Sequence, residues 1–142
     1  MVGHIARAER DIAAPPETVW DVLTDPGPHP DIMFGARIDT TWRVGDRITW
    51  SGEWEGKPYE DYGEILEVEP GRTLRVTHFS PLTGVADIPE NFHELDFRLT
   101  PTPSGTRLVL TQDNNPTAES AEHSSANWRR MLDGVARVAE SA

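Results

Sequence analysis

The chain has 142 residues, of which 26% are charged and 37% apolar, an ordinary composition for a globular protein once the 11 glycines are added to the apolar share. Its formal net charge of −11 would repel phosphate backbones and anionic membrane surfaces, and no apolar run approaches the roughly 20 residues of a membrane span. Cysteine is absent, which excludes disulfides, thiolate catalysis and cysteine-ligated metals. We therefore expect one cytoplasmic domain over residues 1–142, with neither nucleic acid nor a membrane as partner.

The first part of the chain predicts a strand followed by a short helix. The strand covers about residues 4–13, and two prolines then open a helical turn, where proline costs no hydrogen bond. The run Asp25-Pro26-Gly27-Pro28 ends the helix near Thr24, because it removes backbone donors and fixes φ. A further short strand is expected within residues 35–42.

The middle of the chain predicts an antiparallel meander. Five runs of alternating apolar and polar residues are each closed by turn residues. These runs are Ile48 to Trp54, Tyr59 to Val68, Thr73 to Phe79, Phe92 to Thr100 and Thr106 to Asp113. A β-bulge is expected near residues 66–68, because Ile65 and Val68 would point to opposite faces of a regular strand.

The strand registers follow from pairing apolar residues across each turn, since a slip of one residue would exchange the two faces of the sheet. The first hairpin is expected to have a four-residue turn at 55–58. The predicted pairs are Trp54 with Tyr59, Ile48 with Ile65, Val76 with Leu95, Leu74 with Phe97, Leu99 with Leu108 and Phe97 with Leu110.

Residues 117–141 predict a long amphipathic helix, with no internal proline and with apolar residues at helical spacing. Its apolar stripe needs a partner, and the concave side of the sheet is the only large apolar face available. The sequence therefore predicts an α+β domain in which a curved antiparallel sheet wraps around a long C-terminal helix.

An acidic series accompanies the first strands of the meander and alternates with apolar residues. That alternation is typical of the solvated face of a half-buried sheet, and carboxylates spread along extended strands do not converge on a metal. We interpret the series as solvated. Its members are Glu53, Glu55, Glu60, Asp61, Glu64, Glu67 and Glu69.

Three phrases resemble the START-like (SRPBCC) superfamily, and within it the branch named after the activator of the heat-shock protein 90 ATPase. They are residues 12–26 (IAAPPETVWDVLTDP), 63–70 (GEILEVEP) with 72–74 (RTL), and 127–133 (NWRRMLD). The resemblance covers essentially the whole chain and implies the helix-grip fold. Members of the superfamily range from lipid and hormone binders to polyketide cyclases.

One polar constellation follows from the predicted registers. His78 falls opposite His93, Asn114 falls beside His93, and Gln112 lies on the same face. The concave wall is then apolar along most of its length and polar at one end, which is the usual composition of a small-molecule pocket. The alternative is that these side chains lie at a sheet margin and meet water. A general base would also need an orienting partner, and no catalytic residue is assigned.

The predicted ligand-binding set adds apolar and aromatic residues to these four polar ones. Trp50 and Trp54 suggest an aromatic surface near the first hairpin, although ordinary sheet packing explains them equally well. The histidine spacing matches no metal motif, and no cofactor-binding motif is present. The full set is His78, His93, Gln112, Asn114, Trp50, Trp54, Val76, Leu95, Phe97 and Trp128.

These features predict a soluble protein that binds a small apolar or aromatic molecule between the sheet and the C-terminal helix. Two alternatives remain: an enzyme of the cyclase, dehydratase or hydrolase kind in the same pocket, and a chaperone-linked interaction protein. An enzyme needs a titratable group inside the pocket. An interaction protein needs an exposed patch and tolerates a filled interior, so a cavity of several hundred Å³ would separate it from the other two.

Overall fold

The computed structural model describes residues 1–142 and has the predicted helix-grip architecture, with a seven-stranded antiparallel sheet in the order β1-β7-β6-β5-β4-β3-β2. The strands are β1 (His4–Ile12), β2 (Arg37–Thr40), β3 (Arg47–Trp54), β4 (Lys57–Glu69), β5 (Thr73–His78), β6 (His93–Thr102) and β7 (Gly105–Asn115). The helices are α1 (Pro16–Leu23) and α2 (Ala118–Glu140). No helix is long and apolar enough to cross a membrane.

Helix α1 begins and ends where its sequence predicts. Pro16 occupies its first turn, where a missing N–H costs nothing. At the other end, the backbone N–H and the hydroxyl of Thr24 both donate to the carbonyl of Trp20. The helix buries Val19, Trp20 and Leu23 against the core.

The predicted registers of the last three strands are confirmed. Val76 pairs with Leu95, and Leu99 pairs with Leu108. The predicted bulge is also confirmed, since the register between β4 and β5 shifts between Ile65 and Glu67.

The predicted register of the first hairpin is wrong by two residues. Trp54 pairs with Lys57 rather than Tyr59, and Ile48 pairs with Gly63 rather than Ile65. The cause is a two-residue turn: Glu55 (φ 52°) and Gly56 (φ 77°) both adopt left-handed backbone, the geometry that matches the twist of a tight hairpin. An even slip keeps each side chain on its predicted face.

Helix α2 starts with a reciprocal cap. The Thr117 hydroxyl accepts a hydrogen bond from the Ser120 backbone N–H, and Ser120 Oγ accepts one from the Thr117 N–H, so two unpaired donors are satisfied. The helix packs into the sheet as predicted and completes a core of 27 buried residues. Its buried residues are Ala121, Trp128, Met131, Leu132, Gly134, Val135, Ala136 and Ala139.

Candidate functional site

The apolar interior between the sheet and α2 is almost completely filled. The cavity there measures about 20 Å³ and is lined by apolar residues alone, which leaves room for about one water molecule. Five predicted ligand-binding residues are core side chains in this structure. They are Trp50, Val76, Leu95, Phe97 and Trp128.

A larger cleft of about 370 Å³ opens where strands β5, β6 and β7 meet the loop between β5 and β6. The four polar residues of the predicted constellation all line this cleft. Its lining residues are His78, Phe79, Ser80, Thr83, Val85, Asn91, His93, Gln112, Asn114 and Pro116. By contrast, Trp54 lies at the tip of the first hairpin, is 62% exposed and does not line the cleft.

His78 forms a polar pair with Asp61 at the inner side of the cleft. Its Nε2 lies 3.0 Å from Asp61 Oδ2, and the two side chains are 16% and 15% exposed. The edge of Trp50 contacts the imidazole at a centroid distance of 4.9 Å. His78 Nδ1 and Asp61 Oδ1 are buried without a hydrogen-bond partner, an arrangement that costs about 1–3 kcal/mol for each atom.

His93 lies opposite His78, as predicted. Their rings are nearly parallel, with centroids 6.3 Å apart and an interplanar angle of 28°. His93 Nδ1 lies 2.8 Å from the backbone carbonyl oxygen of Asp113. Since a carbonyl only accepts, this contact places the proton of the neutral ring on Nδ1.

Gln112 is held by helix α2. The indole Nε1 of Trp128 donates to Gln112 Oε1 over 3.1 Å, and both side chains are buried. The bond identifies the oxygen of the Gln112 amide, so the NH₂ group remains for other partners. The ring of Phe34 packs against Trp128 in a tilted arrangement, at a centroid distance of 5.6 Å.

Asn114 does not lie in the predicted register. The regular pairing of β6 with β7 stops at Leu95 and Gln112, because Asn114 adopts a left-handed backbone with φ 59°. Its side-chain amide donates to the carbonyls of Glu90 and Phe92. Asn114 therefore borders the cleft while fixing the loop before β6, and it is not paired with His93.

Asp61 belongs to the acidic series that was predicted to be solvated, but its side chain is only 15% exposed. In the structure Asp61 pairs with Trp50 across β3 and β4 and points to the concave side with it. The sequence contained a signal for this direction: Asp61 lies four positions before Ile65, so strand alternation puts both on one face. Its charge reaches Tyr59, whose pKa is raised by burial and further by Asp61.

The cleft contains binding groups and an imidazole paired with a carboxylate. Such a pair can take up a proton from a bound molecule. No serine or threonine hydroxyl hydrogen-bonds to His78 or His93, so the arrangement lacks the activated nucleophile of a catalytic triad. No group of three or more histidine or acidic side chains is arranged to hold a metal ion.

Comparisons with known proteins agree with this fold. A protein from Cytophaga hutchinsonii is 42% identical, with a TM-score of 0.84 over 99% of this chain and 97% of that one. A Mesorhizobium loti protein is 27% identical, with a TM-score of 0.77 over 98% of both chains. The Aha1 dimer of Colwellia psychrerythraea is 21% identical, with a TM-score of 0.70 over 99% of this chain and 97% of that one, and shows the same fold.

No curated protein matches the chain. A family model, described as activator of Hsp90 ATPase homolog 1-like protein, matches residues 13–140. That match covers both helices and every strand except β1. The chain therefore belongs to the family of activator of Hsp90 ATPase homolog 1-like proteins.

Proposed function

We propose that this protein is a cytoplasmic, single-domain binder of a small apolar or aromatic molecule, held in the cleft at the end of β5, β6 and β7. The observation that carries the proposal is the convergence of His78, His93 and Gln112 on one cleft of about 370 Å³. Volumes of roughly 300–1,000 Å³ with a few orienting polar groups are usual for small-molecule sites.

The walls of the cleft support an apolar or aromatic ligand. Phe79, Val85 and Pro116 line it beside the polar groups. The filled interior supports the location, since about 20 Å³ between sheet and helix is too small for an organic molecule. Binding is therefore expected at the end of the helix-grip interior and not along its length.

A titration followed by ¹H–¹⁵N correlation NMR tests the proposal, with 2-naphthol as the probe. We expect saturable shifts of the Trp128 indole N–H and of the Gln112 side-chain amide, which are joined by a hydrogen bond. The exposed indole of Trp54 is an internal control for nonspecific contact between aromatic rings. Shifts of Trp54 without shifts of Trp128 and Gln112 would contradict the proposal.

A chaperone-linked interaction is a second candidate, favoured by the family of the chain and by one exposed apolar segment. Leu82, Val85 and Ile88 lie in the loop between β5 and β6 and are each at least 45% exposed. A triple replacement by serine would abolish chaperone binding under this alternative, measured by calorimetry with purified Hsp90. This alternative is wrong if the wild type and the triple variant bind Hsp90 with the same heat, or if neither binds detectably.

An enzyme is the third candidate, and the Asp61–His78 pair is the feature that favours it. The pair could act as a general base on a ligand in the cleft. Deuterium uptake by a bound carbonyl compound, present in the wild type and lost in His78→Gln, would support this alternative. Equal uptake by both proteins would exclude it for that compound.

A further inference from the structure

The tautomer of His93 determines which hydrogen-bonding group its ring presents to the cleft. The backbone carbonyl of Asp113 accepts from His93 Nδ1, so the other ring nitrogen, Nε2, carries a lone pair when the ring is neutral. Nε2 makes no hydrogen bond within the protein, and His93 lines the cleft. A ligand beside His93 thus meets a hydrogen-bond acceptor in a fixed orientation.

The Asp61–His78 pair adds the charge of a carboxylate on the same side. A carboxylate only accepts, so the 3.0 Å contact with Asp61 Oδ2 places a proton on His78 Nε2 and leaves Nδ1 as the acceptor of the neutral ring. His78 Nδ1 and Asp61 Oδ1 are both buried and unpaired. The imidazoles of His78 and His93 are nearly parallel, so the Asp61–His78 pair lies beside His93.

The side-chain donors of the cleft are amides and hydroxyls, which carry no charge. The Gln112 amide NH₂ is available because its oxygen is occupied by Trp128, and the hydroxyl of Ser80 lies in the lining. No lysine or arginine lines the cleft. An anionic ligand would meet the lone pair of His93 Nε2 and the nearby charge of Asp61, in a protein whose formal net charge is −11, without a cation to neutralise it.

Building on the binding function proposed above, we propose that the cleft selects neutral aromatic molecules that carry a hydroxyl group, and that this hydroxyl donates to His93 Nε2. The ring of the ligand lies against Phe79 and Val85, which line the same cleft. Carboxylates of the same shape are rejected. The selectivity comes from the backbone carbonyl of Asp113, which sets the tautomer of His93.

Three probes of one shape test the selectivity: 2-naphthol, 2-methoxynaphthalene and 2-naphthoate, titrated by calorimetry at pH 7.5. We expect 2-naphthol to bind about tenfold or more tightly than the methyl ether, which cannot donate and leaves the acceptor unpaired. The carboxylate should bind most weakly. In His93→Phe, which keeps a ring but removes the acceptor, 2-naphthol should lose its advantage while the ether keeps its affinity.

His123 provides the matched control, because it is exposed on α2 and does not line the cleft. His123→Phe should leave all three affinities unchanged. Histidine ¹⁵N NMR provides a second test that needs no ligand: His93 should be the Nδ1–H tautomer. The Nε2–H tautomer would overturn the inference.

The outcomes separate this inference from the proposed function. Equal binding of the three probes, with shifts of Trp128 and Gln112, would overturn the selectivity and leave the binding function standing. Tightest binding of 2-naphthoate would also overturn the selectivity alone. Failure of all three probes to bind would overturn both.

Discussion

The indole of Trp128 on helix α2 donates a hydrogen bond to Oε1 of Gln112 on strand β7 over 3.1 Å. Both side chains are buried, and Gln112 lines the cleft while Trp128 lies behind it. The bond therefore joins the helix to the sheet at the point where the packed interior ends and the cleft begins.

Trp128→Phe tests the contribution of this bond to stability. The variant leaves Gln112 Oε1 unpaired and removes part of a buried ring, so the free energy of unfolding should fall by about 1–3 kcal/mol. Urea denaturation followed by circular dichroism measures the change. Trp54→Phe is the matched control and should change stability by less than about 0.5 kcal/mol, because Trp54 is exposed. Equal losses in both variants would contradict this prediction.

A double-mutant comparison tests the Asp61–His78 pair. Asp61→Leu alone or His78→Phe alone leaves one partly buried polar partner unmatched, and each should lower the free energy of unfolding by about 1–3 kcal/mol. The double variant should be at least as stable as either single variant, because it removes both polar groups together. Additive losses in the double variant would show that the two residues do not interact. Glu60→Leu, at an exposed neighbouring position, controls for the loss of a charge.

The pKa of Tyr59 is predicted to depend on Asp61. Burial raises this pKa above its ordinary value of 10.0, and the charge of Asp61 raises it further. Asp61→Asn should therefore lower it, measured by ultraviolet titration of the phenolate in a Tyr62→Phe background. An unchanged or higher pKa would contradict the placement of Asp61 near Tyr59.

The same shift predicts how stability depends on pH. A folded-state pKa above the unfolded one means that the folded protein retains the Tyr59 proton where the unfolded chain has lost it. The stabilising contribution is complete below about pH 10 and is lost as the pH rises through the folded pKa. In Asp61→Asn the folded pKa is lower, so this loss should be smaller and should end at a lower pH, as followed by urea denaturation between pH 9 and pH 11.

Gly134 in α2 is predicted to be intolerant of alanine. A Cβ at this position would lie 2.0 Å from the backbone carbonyl oxygen of Asp31, so either the helix or the segment before β2 would have to move. Alanine in place of an unconstrained helical glycine stabilises by about 1 kcal/mol, whereas overpacking costs about 1–3 kcal/mol. The sign of the change in stability shows which of the two effects is larger. Gly134→Ala should lower the thermal unfolding temperature, and a rise would show that α2 is not packed this closely.

The sequence was sufficient for the fold and for part of the site. Paired apolar residues such as Val76 and Leu95 specify the registers of β5, β6 and β7, because a slip of one residue would expose them. That register alone brings His78 opposite His93. The first hairpin was mispredicted because its two-residue turn needs a left-handed backbone at Glu55. Residues other than glycine seldom adopt that backbone, so the sequence does not indicate it.

The remaining parts of the site depend on packing. Asp61 lies in a series of carboxylates that looks uniformly solvated, and only its pairing with Trp50 reveals its inward direction. Asn114 leaves the regular register through a single left-handed residue. The filling of the interior, down to about 20 Å³, depends on the summed volumes of side chains from most of the core, which periodicity does not report.

Intermolecular nuclear Overhauser contacts between 2-naphthol and the protein test the central claim most directly, because they locate the ligand within a few ångströms. We expect contacts from the naphthol ring to His93, Gln112 and Val85, which line the cleft. Contacts to Phe97 and Met131, which line the filled interior, would contradict it and would mean that the ligand separates the sheet from helix α2.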